Sequence, residues 1–313
     1  MHYSPTPLHI PDGFLTLVVA LIFWALTAIA VGMAISKTNQ ALGEKQVPLM
    51  GIMAAFIFAA QMLNFPVAGG TSGHFLGGAL AAMVLGPWAA ILVMTAVIAV
   101  QGLLFQDGGL LAMGANIFNM GILTAIIGFG LYRIVSGLQN KTVKLAVAGI
   151  GAWLSTIAAA LLTSLQLWIS GTSSLQLVIP AMLGVHVLIG LGEALITVAA
   201  LAFILQSRPD LLEADKVAEK GGRGWIVAGV IVSLIAVLLS PLASGDPDGL
   251  ERVAEDFGFL EAGLDAPYQI LPDYTIPFLG ETALSTIVAG VVGALVLLGL
   301  MAVLGGLLKK RTT

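Results

Sequence analysis

The chain has 313 residues, of which 58% are hydrophobic and only 10% are charged. Soluble domains usually carry about 25% charged residues, so this composition excludes a soluble globular protein and indicates an integral membrane protein. The net charge of −4 gives no support to nucleic-acid binding, and a sequence without cysteine excludes disulfides and thiolate metal sites.

Long apolar runs recur along the chain and predict membrane-spanning helices. A span needs about 20 predominantly apolar residues to cross a hydrocarbon core about 30 Å thick. In chain order, the predicted spans are 14–36, 47–64, 75–87, 88–105, 114–136, 143–170, 177–205, 224–243 and 282–308. The sequence therefore predicts an all-α, polytopic transmembrane bundle of about nine helices.

The distribution of Lys and Arg predicts the orientation of this bundle. If the N-terminus lies outside and all nine spans cross, every basic residue except Arg252 falls on the inside, as the positive-inside rule expects. Merging 75–87 with 88–105 would move later basic clusters to the wrong side, so Gly86-Pro87-Trp88 is interpreted as a turn. We therefore expect a multi-pass protein of the plasma (inner) membrane with its N-terminus outside and a cytoplasmic C-terminus.

The charged segment 206–223 has the composition of a linker and is predicted to be cytoplasmic. It separates a seven-span module, residues 1–205, from a two-span module, residues 224–313. Between the last two spans, residues 244–281 hold nine of the 17 carboxylates and are predicted to lie outside. Such a charge run is typical of a solvated surface.

Histidines are scarce, with four in the chain, and imidazole is the commonest protein ligand of transition metals. His9 precedes the first predicted span, and His74 ends a glycine-rich loop on the same predicted side. His74 could instead cap the helix that follows it. His2, together with a free amino terminus at Met1, could form a planar nitrogen chelate suited to Ni(II) or Cu(II); an unstructured tail is the alternative.

Polar residues inside the spans are further candidates. His186 and Glu193 are seven residues apart, which places them on one helical face. They could form the proton relay of a secondary, ion-coupled carrier, or fill a packing role. Asn116 and Asn119 share a face of the predicted fifth span and could orient a ligand or cap the helix. The sequence contains no phosphate-binding loop and no catalytic Ser/His/Asp or His-Glu-x-x-His set, so we expect no enzymatic activity.

Several motifs, in this order, resemble those of a known family. They are His9-Ile10-Pro11-Asp12-Gly13-Phe14-Leu15, Gly69-Gly70-Thr71-Ser72-Gly73-His74, Gly86-Pro87-Trp88, Asp107-Gly108-Gly109 and Gly114-Ala115-Asn116-Ile117-Phe118-Asn119-Met120. Together they resemble the M component of nickel and cobalt energy-coupling-factor transporters, the CbiM/NikM family. The module that begins at Pro247-Asp248-Gly249-Leu250-Glu251 is similar to the small N component, fused behind it.

The resemblance implies a substrate-binding membrane subunit without a resident cofactor, which imports Ni²⁺ or Co²⁺ with a transmembrane coupling subunit and cytoplasmic ATP-binding subunits. It implies that nitrogen atoms bind the metal: the amine of a terminal methionine, the amide and ring of the next histidine, and the ring of His74. Nickel is favoured because the first motif and the loop ending at His74 look more like those of the nickel members. Asp12, Asn116, Asn119 and His186 are expected to surround these ligands.

The family motif begins with Met-His, whereas this chain has Leu8-His9 after seven further residues. In one explanation, translation starts at position 8 from a codon that is read as methionine in initiation, and the Leu8 position and His9 supply the terminal chelate. In the other, Met1 and His2 supply it, and His9 is structural or a spare ligand. The first is favoured because the motif is intact from His9 onward.

Overall fold

The computed structural model describes residues 9–41, 46–209, 212 and 224–309. The predicted helical bundle is confirmed, with one short antiparallel hairpin in addition, formed by β1 (Phe65–Val67) and β2 (Thr71–Gly73). The helices are α1 (Leu17–Ala41), α2 (Gln46–Gln61), α3 (Gly78–Leu85), α4 (Pro87–Val100), α5 (Met113–Asn116), α6 (Thr124–Val135), α7 (Lys141–Ile169), α8 (Leu175–Ser207), α9 (Gly224–Leu239), α10 (Gly249–Asp256) and α11 (Ala283–Lys309). A π-helical turn, Gln101–Phe105, extends α4, and a second one, Ile117–Leu123, joins α5 to α6.

Seven helical stretches in the described part of the chain are long and apolar enough to cross a membrane. They are Leu17–Asn39, Pro87–Phe105, Met113–Val135, Lys141–Ile169, Leu175–Ser207, Gly224–Leu242 and Ala283–Leu308. Helix α2 is a shorter apolar helix of 16 residues. The number of long helices is therefore smaller than the nine spans that the sequence predicts.

The difference lies mainly at the predicted span 75–87. Helix α3 has eight residues, which at 1.5 Å per residue is about 12 Å and too short to cross a bilayer alone. All of its residues are buried inside the protein, so its apolar sequence reflects packing against other helices and not contact with lipid. The predicted turn is present, because Gly86 has φ 80° and α4 begins at Pro87, a position that suits proline.

The centre of the bundle is formed by α2, α3 and α4, whose residues are mostly buried. The long helices α7 and α8 pair with each other, and α9 and α11 both pack against α2. Glycine allows the closest of these approaches: a Cβ at Gly293 of α11 would lie 2.1 Å from Phe58 Cζ of α2. The C-terminal helices are thus joined to the seven-span module through small residues at helix contacts.

Four loop segments meet at one end of the bundle: residues 9–14, the β1–β2 hairpin, residues 106–112, and the segment 244–281, which we name the connecting segment. The hairpin joins it through Ser72 N–H, which donates to Pro247 O at 2.8 Å. The first loop joins it through Leu264 N–H, which donates to Asp12 O at 2.7 Å. The connecting segment therefore lies directly over the loops that contain His9 and His74.

The prediction that this segment is a solvated surface is wrong at Asp248, which is only 3% exposed. Asp248 is the N-cap of α10, and its carboxylate accepts hydrogen bonds from the backbone N–H groups of Leu250 and Glu251. The Glu251 side chain accepts from the Asp248 N–H in return, which completes a capping box. Asp248 is buried because this cap places α10 against the hairpin and α8.

Candidate metal site

The backbone around His9 is held to the 107–116 region by two side chains, Asn116 and Asp12. Asn116 Oδ1 accepts from Ile10 N–H at 3.0 Å, and Asn116 Nδ2 donates to Ile10 O at 3.0 Å. The carboxylate of Asp12 accepts from the backbone N–H groups of Leu110, Leu111 and Ala112. These bonds direct the His9 ring into the interior, where the residue is 2% exposed.

His74 follows β2 in the turn that leads into α3. Glu193, from the middle of α8, accepts from the backbone N–H groups of Leu76 at 2.6 Å and Gly77 at 2.9 Å. The interpretation of His74 as a helix cap is wrong, because the N-cap of α3 is Gly77. Glu193 therefore supports the turn that positions His74, in addition to sharing a helix with His186.

The rings of His9 and His74 lie next to each other, with centroids 5.5 Å apart and an interplanar angle of 74°. Both Nε2 atoms are buried and have no hydrogen-bond partner among the described residues. They line a cavity of about 60 Å³ together with His186, Asn119 and other residues. Buried nitrogen atoms are rarely left unpaired, so two of them on one small cavity indicate a bound partner, and a metal cation fits both lone pairs.

The opposite ring nitrogens face acceptors. His9 Nδ1 is 3.1 Å from the backbone oxygen of Asp107 and 3.4 Å from Asp107 Oδ1. A carbonyl oxygen can only accept, so Nδ1 of His9 carries the proton and Nε2 keeps its lone pair. His74 Nδ1 is 3.6 Å from Asp248 Oδ2. Both rings thus turn Nε2 toward the cavity, and the proton on His9 Nδ1 leaves the lone pair of its Nε2 there.

Burial also shifts the charges of the site in the direction that metal binding requires. Burial lowers the pKa of His74 to about 3, with smaller contributions from His9 and His186, so the ring is neutral near pH 7, as a metal ligand must be. Burial raises the pKa of the Asp248 carboxyl to about 8 in the metal-free protein, and the neighbouring carboxylates of Glu251 and Asp107 add to the increase. The charge of a divalent cation beside His74 would lower that pKa again.

The described residues offer fewer ligands than a metal ion needs. They contain no group of three or more His, Cys, Asp or Glu side chains that could hold a metal ion. His9 and His74 each present one unpaired ring nitrogen, Nε2, to the cavity. Leu8, Met1 and His2, which would supply the rest of the predicted terminal chelates, lie outside the described residues. A chelate through the amide and ring of His9 would use Nδ1, and in this structure Nδ1 faces Asp107 O.

The other predicted residues lie around the cavity in different roles. Asp12 and Asn116 hold the backbone near His9, as described above. Asn119 lines the cavity and exchanges two hydrogen bonds with Gln166, at 2.7 and 2.9 Å. His186 also lines the cavity, with its Nδ1 2.7 Å from Met182 O. The structure thus brings His9, His74, Asn119 and His186 to one cavity and places Asp12 and Asn116 behind it.

Sequence reasoning did not assign roles to Asp107, Asp248 or Tyr274. Tyr274 donates from its hydroxyl to Asp107 Oδ2 at 2.6 Å and accepts from Gln101 Nε2 at 3.1 Å. Burial, followed by the charge of Asp107, raises the pKa of Tyr274 well above its ordinary value, so the hydroxyl remains a donor. Asp107 belongs to the Asp-Gly-Gly motif and Asp248 to the Pro-Asp-Gly motif, so both could have been identified from the sequence. Tyr274 belongs to neither motif.

Comparison with known proteins identifies the family. Residues 9–211 match the family model described as the cobalt uptake substrate-specific transmembrane region, CbiM, which is more than half of the chain. The chain belongs to the CbiM family. Residues 223–310 match a second model, the PDGLE domain, so this CbiM-family chain carries a fused PDGLE module.

Relatives of this CbiM-family chain are transport proteins. A protein of Archaeoglobus fulgidus named as a fused nickel transport protein is 39% identical over 302 residues, which is 94% of this chain and 96% of the relative. The fused nickel transport protein of Rhodobacter capsulatus is 31% identical over 80% of this chain and 77% of its own length. The cobalt transport protein of Geobacter sulfurreducens is 29% identical over 78% of this chain and 74% of its own.

A solved structure agrees with this assignment. The crystal structure of a truncated transition metal transporter is 36% identical and superposes with a TM-score of 0.58, covering 63% of this chain and 98% of that one. The chain is therefore a multi-pass membrane protein of a family of metal transport proteins and not of an enzyme family.

Proposed function

We propose that this chain is the substrate-binding membrane subunit of an ATP-driven importer of the energy-coupling-factor type, with Ni²⁺ as its preferred substrate over Co²⁺. The observation that carries the proposal is the pair of buried, unpaired Nε2 atoms of His9 and His74 on one small cavity, within the described part of the chain. Imidazole nitrogen suits both metals. The nickel preference is supported by a ligand set built from nitrogen, which suits square-planar Ni(II), and by similarity to nickel transport proteins.

In the proposed mechanism, a divalent cation approaches from outside, loses water molecules and binds to Nε2 of His9 and His74. The N-terminus and the connecting segment lie outside, and the C-terminus is cytoplasmic. The bundle has about nine membrane helices, counting α2 and α3. A transmembrane coupling subunit and cytoplasmic ATP-binding subunits, encoded elsewhere, drive the conformational change that releases the metal inward.

Metal binding by purified protein tests the site. Wild-type protein should retain nickel after dialysis, measured by elemental mass spectrometry, and His9→Ala and His74→Ala should each abolish tight binding. His186→Ala is the matched control, because His186 lines the same cavity but its Nε2 is not one of the buried nitrogens left without a partner; it should bind nickel within several-fold of wild type. Tight binding by the His74 variant would reject this site.

Uptake in cells tests the coupling to ATP. Cells that contain the chain and its ATP-binding partners should accumulate nickel, and cells without the partners should not. Uptake that persists without them and is lost in His186→Ala or Glu193→Gln would instead support the ion-coupled carrier.

The missing terminal ligands can be identified by mass and by substitution. The intact mass of protein purified from its native gene distinguishes initiation at position 8 from the full 313 residues. We expect initiation at position 8, so that the terminal amine belongs to the residue before His9. If the full-length mass is found, His2→Ala should abolish nickel binding, and unchanged binding would exclude a chelate at Met1 and His2.

A further inference from the structure

Asp248, in the fused PDGLE module, uses its two carboxylate oxygens for different purposes. Oδ1 accepts from the backbone N–H groups of Leu250 at 2.9 Å and Glu251 at 2.8 Å, which caps α10. Oδ2 faces His74 Nδ1 at 3.6 Å. The helix cap therefore fixes the carboxylate in the orientation that places one oxygen behind the imidazole.

We infer that Asp248 is a positioning residue, which keeps the proton of the His74 imidazole on Nδ1 and leaves Nε2 free to bind the metal. The inference rests on the proposed function and extends it to the fused module. A neutral imidazole has one N–H group and one lone pair, so the acceptor behind one nitrogen decides which nitrogen can bind a cation. Such groups behind metal-binding histidines typically change metal affinity by about 10- to 100-fold.

Hydrogen bonds to the β1–β2 hairpin fix the part of the connecting segment that places Asp248 behind His74. Ser72, one residue before the end of β2, donates from its N–H to Pro247 O and from its hydroxyl to Asp246 O, both at 2.8 Å. These bonds attach the residues before Asp248 to the strand that leads into His74. The 3.6 Å contact is longer than an N–H···O hydrogen bond of about 2.9 Å, and we expect it to shorten when a cation binds to Nε2, because binding makes the Nδ1 proton more acidic.

Substitution of Asp248 by Asn and by Ser separates positioning from helix capping. All three residues are good N-caps, so thermal stability should be nearly equal. In Asp248→Asn the side-chain oxygen must cap α10, and the amide NH₂ then faces His74 Nδ1 and favours the proton on Nε2. Asp248→Ser caps the helix but cannot reach the ring. Nickel affinity should therefore decrease in the order Asp, Ser, Asn, with a loss of about 10- to 100-fold for Asn.

Asp246→Asn is the matched control, because Asp246 lies in the same segment but is exposed; it should bind nickel like wild type. Nitrogen NMR of the histidine rings in metal-free protein gives the direct readout, recorded above pH 8 because the pKa of Asp248 is raised to about 8: His74 should carry its proton on Nδ1 in wild type and on Nε2 in Asp248→Asn.

Asp248→Asn with wild-type affinity, or with an unchanged His74 tautomer, would overturn the inference, and so would equal losses in the Asn and Ser variants. Failure of the proposed function looks different, because wild-type protein would then bind no nickel, or His74→Ala would bind it tightly. The positioning role is rejected and the function retained if wild type binds nickel, His74→Ala does not, and Asp248→Asn binds it like wild type.

Discussion

Asn116→Ala is expected to release the backbone that carries His9. In the folded protein, Asn116 accepts from Ile10 N–H and donates to Ile10 O. After the substitution, Ile10 N–H loses its acceptor, whereas Ile10 O keeps the bond from Gly109 N–H at 3.0 Å. The Ala side chain replaces neither hydrogen bond.

The cost follows from these two bonds. A buried donor left without an acceptor costs about 1–3 kcal/mol, and the loss of one of two bonds to a carbonyl costs about 0.5–1.5 kcal/mol. The total, about 1.5–4.5 kcal/mol, is lost from the contact of residues 9–13 with the 107–116 region. The metal binds only when residues 9–13 are in this position, so the same free energy is lost from metal binding. At about 1.4 kcal/mol per factor of ten, nickel affinity should decrease by about ten-fold to about a thousand-fold.

Asn119→Ala is the comparison, because Asn119 is equally buried on the next turn but bonds to Gln166 and Thr163 and not to residues 9–13. Both variants should have a lower melting temperature, but only Asn116→Ala should lose most of its nickel affinity, measured by competition with a metal indicator. Equal losses of affinity in both variants, or wild-type affinity in Asn116→Ala, would contradict this role of Asn116.

Three further predictions concern the surroundings of the site. Glu193→Ala leaves two buried backbone N–H groups unpaired and should lower stability by about 2–6 kcal/mol; a thermal shift no larger than that of an exposed substitution would contradict this. Gly109→Ala places a Cβ 2.1 Å from Asp12 Oδ1 and should reduce both stability and nickel binding, whereas Gly184→Ala, with nothing within 4 Å, should be neutral in the same assays. Burial, with the charges of Asp107, Glu281 and Asp265, raises the pKa of Asp273 from 3.8 to about 7; the folded state then binds more protons, so this contribution to stability falls as pH rises from 3.8 to about 7. Asp273→Asn should remove that part of the pH dependence of the melting temperature, and identical slopes in both proteins would exclude it.

The sequence predicts the helical class and the pairing of His9 with His74 well, because hydropathy and ordered motifs are local signals. It does not predict the length of α3, since an apolar run looks the same whether it is buried in protein or exposed to lipid. The role of Asp248 is missed for a similar reason: a carboxylate in an acidic segment looks solvated until its helix cap buries it. The contact of Tyr274 with Asp107 joins residues 167 positions apart, and no pattern in one sequence encodes a pairing over that distance.

The ligands that line the cavity determine how the cation must arrive. A cation that binds both the His9 and His74 rings there must exchange at least two of its first-shell waters for imidazole nitrogen. Selection among divalent ions then depends on the energy of dehydration as well as on the ligands. Mg²⁺, which gives up its waters reluctantly and prefers oxygen ligands, would be disfavoured on both counts.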